Sequence, residues 1–152
     1  MSSFKDQFER VNRYLKRIQS EDQPTIDYLD DLYSFFINCH HLKDWVKKDK
    51  STGLTKNEVE DFVQSKLSLR ICADLANASK HVTPERRLRK KDKRPQDNAH
   101  ITNRNATISI PLRRTIYQNI VTLQDGSKHI AENIARQAVD DWTQFLSTKN
   151  LI

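Results

Sequence analysis

The sequence predicts a mainly α-helical fold, a bundle of about four helices with a small antiparallel β-hairpin inserted before the last helix. Apolar residues recur at spacings of three and four over most of the chain, which is the period of an amphipathic helix. A short stretch around residue 108 alternates between apolar and polar residues instead, as a strand does. The length of 152 residues fits one self-sufficient core, so we expect a single domain spanning 1–152.

The first two helices follow from the apolar pattern. A single apolar stripe predicts a first helix over about residues 3–20. Pro24 suits a helix N-terminus and opens a second helix over about 24–49. This helix is apolar almost all round between Leu32 and Val46, which predicts that it is the central one. The stripe of the first helix consists of Phe4, Phe8, Val11, Leu15 and Ile18.

A third helix is predicted over about residues 55–80. Thr55 and Glu58 have the spacing of a capping box, in which each side chain bonds the other residue's backbone N–H. Pro84 prevents any continuation of this helix. The following stretch, 82–104, is rich in basic and polar residues and is predicted to be a loop.

Strand-like residues follow the basic loop. Residues 107–110 alternate, and the stretch over 114–123 is rich in β-branched and aromatic residues. Asp125-Gly126 is a strong hairpin-turn signal, so we expect two or three short strands with a hairpin over about 106–124. A last helix over about 129–147 follows from the apolar positions Ile130, Ile134, Ala138, Trp142 and Phe145.

Several functional classes are excluded by composition. Gly53 and Gly126 are the only glycines, whereas a dinucleotide-binding fingerprint, a phosphate-binding P-loop and a nucleophile elbow each need several. No apolar run approaches the roughly 18 residues of a membrane span, and the first residues lack the apolar core of a signal peptide. We therefore expect a cytoplasmic chain without a membrane partner. Cys39 and Cys72 are expected to be small buried thiols.

The positive charge is concentrated in one segment. Between Lys80 and Arg104 the sequence has nine basic and three acidic residues, a difference of six that equals the net charge of the whole chain, +6. Such a cluster can displace counterions from a phosphate backbone, although no aromatic residue accompanies it for base stacking, and a solvated loop is the alternative. The candidate nucleic-acid-binding residues are Arg86, Arg87, Arg89, Lys90, Lys91, Lys93 and Arg94.

Four polar residues of the predicted third helix have helical spacing. Arg70, Asp74, Asn77 and His81 are four, three and four positions apart and would share one side of the helix. A metal-independent nuclease could use His81 as the general acid/base, Asn77 and Asp74 to orient it, and Arg70 to hold the scissile phosphate, with no cofactor. The alternative is a structural network in which Arg70 pairs with Asp74 and Asn77 caps the helix.

The second helix contributes weaker candidates for a metal site. His40, His41 and Asp44 could meet Asp74 and His81 if the two helices pack antiparallel. No Glu-x-x-His pair accompanies them, so no metal is predicted, and a metal-dependent hydrolase is the third-ranked function.

The stretches Phe35-Phe-Ile-Asn-Cys-His-His-Leu-Lys-Asp-Trp45 and Leu69-Arg-Ile-Cys-Ala-Asp-Leu-Ala-Asn-Ala-Ser-Lys-His81 look like small uncharacterised bacterial helical proteins and, distantly, resemble the HEPN superfamily of helical bundles. HEPN proteins are often RNA-cleaving toxins or components of bacterial and phage conflict systems, and they act as dimers with a composite site. Their motif is an Arg with a neighbouring polar residue and a His four to six residues after the Arg. His81 and Asn77 match it, but no Arg precedes His81 at that distance.

The resemblance implies a homodimer that acts on or binds RNA, with metal-independent ribonuclease activity as the enzymatic version. The missing Arg favours an inactive binding relative. The alternative from another class is a non-enzymatic interaction or accessory protein. Such a protein would bind nucleic acid or a protein partner through the basic loop and the hairpin.

Overall fold

The computed structural model of the chain describes residues 2–19, 25–78, 97–109 and 114–152. It confirms a mainly helical fold with an antiparallel hairpin ahead of the last helix. None of the helices in these ranges is long and apolar enough to cross a membrane. In chain order the elements are α1 (Phe4–Gln19), α2 (Thr25–Lys48), α3 (Lys56–Ser65), α4 (Leu67–Ala78), β1 (His100–Ser109), β2 (Arg114–Thr122), β3 (Lys128–Ile130) and α5 (Ala131–Thr148).

Helix α2 is the centre of the bundle, as its uniformly apolar middle predicts. It packs against α1, α3, α4 and α5. A helix surrounded on several sides needs apolar residues around its whole circumference, and α2 supplies them. The side chains that are at most 1% exposed on this helix are Tyr28, Leu32, Phe35, Phe36, Cys39, Leu42 and Val46.

A buried polar pair fixes how α1 lies on α2. The Gln7 side chain is only 1% exposed, and its Nε2 donates to the backbone carbonyl of Asn38 at 2.9 Å. Because an unsatisfied buried amide would be costly, this hydrogen bond favours one register between the two helices. Val11 and Ile18 bury the rest of the same side of α1.

The predicted helix over 55–80 is two helices, divided at Lys66. The capping box at its start is confirmed, since Glu58 N donates to Thr55 Oγ1 at 3.1 Å and Thr55 N to Glu58 Oε2 at 2.7 Å. Lys66 has extended backbone angles and separates α3 from α4. In one continuous helix of about 100° per residue, the buried Val63 would face away from the buried Cys72. The break allows both apolar faces to reach the core.

The three strands form one antiparallel sheet in the order β1-β2-β3. Strand β1 begins at His100, so the last residues of the loop predicted over 82–104 belong to a strand. The hairpin therefore begins before the predicted residue 106. The first half of β1 contains polar residues with weak strand propensity, and it is in the sheet because it pairs with β2, for example at Ile101 and Val121.

The turn predicted at Asp125-Gly126 is confirmed and joins β2 to β3. Gly126 has a φ of +85°, which a residue without a Cβ adopts readily. The Asp125 carboxylate accepts hydrogen bonds from the backbone N–H of Ser127 at 2.8 Å and from its hydroxyl at 2.6 Å. The short β3 then continues directly into α5.

Glu132 fastens the sheet to the helices. One of its carboxylate oxygens, Oε2, accepts the backbone N–H of Asn119 at 3.1 Å, and the other, Oε1, accepts the Asn119 side-chain amide at 2.8 Å. The hydroxyl of Tyr28 donates to the same Oε1. Tyr28 and Asn119 are almost fully buried, so this carboxylate joins α2, β2 and the first turn of α5 inside the protein.

Candidate nucleic-acid interface

Helix α4 carries three residues of the predicted polar stripe opposite its apolar face. Arg70 and Asp74 are half-buried, and Asn77, one turn later, is exposed. His81 and the predicted nucleic-acid-binding residues Arg86, Arg87, Arg89, Lys90, Lys91, Lys93 and Arg94 lie outside the described residues. The buried face of α4 consists of Ser68, Leu69, Ile71, Cys72, Leu75 and Ala76.

Arg70 has two hydrogen-bond partners. Its Nε donates to Oδ2 of Asp97 at 2.9 Å, and its Nη1 donates to the backbone carbonyl of Gln64 at 2.6 Å. The side chains of Arg70 and Asp97 are 29% and 24% exposed, so the ion pair is partly shielded from water. The pairing of Arg70 with Asp74, one of the two alternatives from the sequence, is replaced by this bond to Asp97.

Asp74 binds the same short segment as Arg70. Its Oδ2 accepts the backbone N–H of Ala99 at 3.0 Å, and Ala99 is completely buried. Between the two anchor points, Asn98 has a positive φ of 48° and donates from its side chain to Gln124 Oε1 at 2.9 Å. Arg70 and Asp74 therefore hold residues 97–99, which enter β1, against α4.

Asp97 also connects this segment to the sheet. Its backbone carbonyl accepts the N–H of Gln124 at 2.8 Å, while its carboxylate holds Arg70. No local pattern singles out Asp97, because it is 27 positions away from Arg70 and lies in a segment rich in basic residues. Only the folded chain brings the two residues together.

Two of the three metal candidates of α2 line a cavity to which α4 contributes no residue. His41 and Asp44 line a cavity of about 920 Å³ formed by the end of α2, the first residues of the chain and the turn that follows α2. The cavity has side chains of both charges, including Lys48 and Asp49, so its charge does not favour an anionic or a cationic ligand. Among the described residues, no group of three or more metal-ligating side chains converges there or elsewhere.

Asp44 takes part in a network of ion pairs. Its Oδ1 lies 3.0 Å from Nζ of Lys47, which also contacts Glu60 Oε1 at 2.5 Å. Burial acts to raise the pKa of Asp44, but the hydrogen bond from Lys47 and the charges of Lys47, Lys43 and His40 together lower it below the usual value. Asp44 therefore remains ionised and bound to Lys47. The rings of His40 and His41 lie with their centroids 5.9 Å apart.

The two cysteines are buried and free, as predicted. Cys39 of α2 and Cys72 of α4 are 1% and 0% exposed. Burial, the hydrogen bond to Cys39 and the nearby carboxylate of Asp141 raise the pKa of Cys72 well above that of an ordinary thiol. A thiol with a raised pKa is a weak nucleophile, so we assign Cys72 a packing role in the core and not a catalytic one.

A basic surface on α1 was missed in the sequence. Arg10, Arg13, Lys16 and Arg17 lie on the exposed side of this helix around the ring of Tyr14. A signal was present, because these residues recur at spacings of three and four opposite the apolar stripe. The net charge concealed it, since acidic residues elsewhere balance these four charges.

Comparison of the chain with protein-family models, with curated proteins and with solved structures finds no significant match.

Proposed function

We propose that this protein binds single-stranded RNA through the basic segment that contains Arg86 to Arg94, and that it does not cleave the RNA. The observation that carries the proposal is the attachment of residues 97–99 to α4 by Arg70 and Asp74. The segment whose charge equals the net charge of the chain follows α4, which ends at Ala78. At Asp97 the chain is bonded to α4 again, through Arg70.

The charge of the segment supports a polyanionic partner. Lysines and arginines that neutralise phosphates release condensed counterions, which is a large part of the free energy of nucleic-acid binding at low salt. The described residues on either side of this segment both belong to or bind α4, since α4 ends at Ala78 and Asp97 is paired with Arg70. RNA is the partner that the HEPN resemblance implies, and a single strand offers a flexible row of phosphates to such a cluster.

The contacts of the polar stripe support binding rather than cleavage. The nuclease hypothesis needs Arg70 to face the scissile phosphate and Asp74 to orient His81. Arg70 instead donates to Asp97 and to the carbonyl of Gln64, and Asp74 accepts the N–H of Ala99. Two of the five N–H donors of Arg70 are thus used to fasten the chain, which gives this side chain a structural role.

Fluorescence anisotropy with a labelled single-stranded RNA tests the proposal. The triple variant Arg86→Ala, Arg87→Ala, Arg89→Ala should bind more weakly than the unaltered protein at low salt. The matched control Lys5→Ala, Lys56→Ala, Lys128→Ala removes the same charge at exposed positions elsewhere and should retain most of the affinity. Absence of RNA binding by the unaltered protein, or equal loss in both variants, contradicts the proposal.

An HEPN-like homodimer that acts in a bacterial or phage defence system is part of this proposal and depends on the resemblance alone. A cytoplasmic location is also part of it, and the free thiols of Cys39 and Cys72 support it because reducing compartments keep cysteines unpaired. Light scattering of the purified chain tests the dimer. A mass of twice 17.9 kDa supports it, and a mass of 17.9 kDa contradicts it.

A further inference from the structure

The exposed side of α1 forms a concave basic surface. Arg10, Arg13, Tyr14, Lys16 and Arg17 line a shallow depression of about 370 Å³, and no acidic side chain is among the lining residues. We call these five residues the α1 basic face. From Arg10 to Arg17 it extends about 10 Å along the helix axis, which corresponds to about three nucleotides of a stacked strand.

The rest of the fold holds this face towards solvent. Phe4, Val11 and Ile18 are buried on the other side of α1, and Gln7 is hydrogen-bonded to Asn38 of α2. Rotating α1 about its axis would expose these apolar side chains and break the buried amide bond. The basic residues are therefore displayed by the packing of the helix.

Two arginines of the face are held in place by neighbours. Nε of Arg17 lies 3.2 Å from the Asp31 carboxylate, and its guanidinium carbon lies 5.6 Å from the centre of the Tyr14 ring. Nη1 of Arg10 donates to Gln7 Oε1 at 2.8 Å. Side chains that are already positioned lose less conformational entropy when they bind a ligand.

The other two cations have more cationic than anionic neighbours on the helix, although the exposed Glu9 lies four positions before Arg13. Arg13 and Lys16 are exposed and, within the described part of the chain, form no ion pair. Like charges three and four positions apart on a helix repel each other, and here Arg13 has such neighbours in Arg10, Lys16 and Arg17. A bound row of phosphates would relieve this repulsion and match the charge of the face.

We infer that the α1 basic face is a second RNA-binding surface, which contacts the phosphates of the single strand that the segment 86–94 binds. This inference rests on the proposed function. The face is in a different part of the sequence from that segment, so the two surfaces can be removed separately. Each should contribute its own share of the salt dependence of binding.

The double variant Arg13→Ala, Lys16→Ala tests the inference, with Lys5→Ala, Lys56→Ala as a control of equal charge change. Both control lysines are exposed and lie outside the face. Loss of two phosphate contacts should weaken RNA binding about 10- to 30-fold at about 100 mM salt and reduce the log–log salt slope by about 1.4. The control should change affinity less than about twofold, because distant exposed charges are screened.

The outcomes separate the inference from the proposed function. If the unaltered protein binds RNA but the double variant matches its control in affinity and slope, the α1 basic face is not a contact surface and the proposed function stands. If the unaltered protein does not bind RNA, both fail. Alanine is a better helix former than arginine or lysine, so the melting temperature should change by less than about 3 °C. The charge-reversing variant Arg13→Glu, Lys16→Glu should weaken binding further.

Discussion

Nε of Arg70 lies 2.9 Å from Oδ2 of Asp97, and this ion pair joins α4 to the beginning of the sheet across 27 positions of sequence. The pair distinguishes a structural role of Arg70 from a phosphate-binding one. A guanidinium that holds the chain in place stabilises the fold, whereas a guanidinium that faces solvent could hold a phosphate. The neighbouring bond from Ala99 to Asp74 supports the first role.

A double-mutant cycle measures the contribution of this pair to stability. We expect Arg70→Met and Asp97→Asn each to lower the free energy of unfolding, because each leaves a half-buried charge without its partner. The coupling between the two substitutions should be about 1 kcal/mol, since the pair is only partly exposed. Urea unfolding of the four proteins gives the coupling directly. Additive effects would mean that the pair contributes nothing to stability.

RNA cleavage should be absent. We expect no cleavage of single-stranded RNA in EDTA by the unaltered protein or by His81→Ala, because Arg70 and one carboxylate oxygen of Asp74 fasten residues 97–99 to α4. Gel analysis of labelled RNA after prolonged incubation provides the measurement. Cleavage by the unaltered protein that is lost in His81→Ala would instead establish the ribonuclease function.

Glu132 should be important for stability. Replacing it with Gln keeps its size but weakens the hydrogen bonds that its carboxylate accepts from Tyr28 and from the side chain and backbone of Asn119. Hydrogen bonds to charged groups are the stronger ones, so we expect a loss of about 2–3 kcal/mol in the free energy of unfolding. Glu9→Gln, at an exposed position of α1, is the control and should change stability by less than about 0.5 kcal/mol.

Stability should decrease at alkaline pH because of Cys72. Its pKa is raised in the folded protein by burial, by Cys39 and by Asp141. Above about pH 8.5 the unfolded chain loses a thiol proton that the folded chain retains, and the free energy of unfolding therefore falls as pH rises. Urea unfolding between pH 7.5 and pH 9.5 should have a shallower pH dependence in Cys72→Ala. An unchanged dependence would show that the thiol makes no contribution.

The features that could be predicted from sequence are local ones. Apolar periodicity identified α1, α2 and α5, the Thr55–Glu58 spacing identified a capping box, and Asp125-Gly126 identified the turn between β2 and β3. Each depends on residues within a few positions of one another, so the sequence alone carries the whole signal.

The features that were missed depend on the folded chain. The break at Lys66 contains neither glycine nor proline, and its only trace is the change of apolar face between Val63 and Cys72. The start of β1 at His100 depends on pairing with β2 rather than on its own composition. The partner of Arg70 could not be identified because sequence separation hides a contact with Asp97.

The cations of α1 are likewise not evident from the charge of the chain. The sum of charges outside residues 80–104 is zero, which suggested a balanced surface. A sum over sequence does not show which charges share a face, and the helical arrangement of α1 gathers four cations on one side. Counting charges by helix face instead of by segment would have revealed the α1 basic face.

The salt dependence of RNA affinity for the unaltered protein tests the account most directly. Anisotropy titrations at several salt concentrations between about 50 and 200 mM give the slope of log affinity against log salt. Five or more phosphate contacts by Arg86 to Arg94 and the α1 basic face predict a slope of about −3.5 or steeper for a single strand. A slope near zero, or no measurable affinity at the lowest salt, would contradict the account.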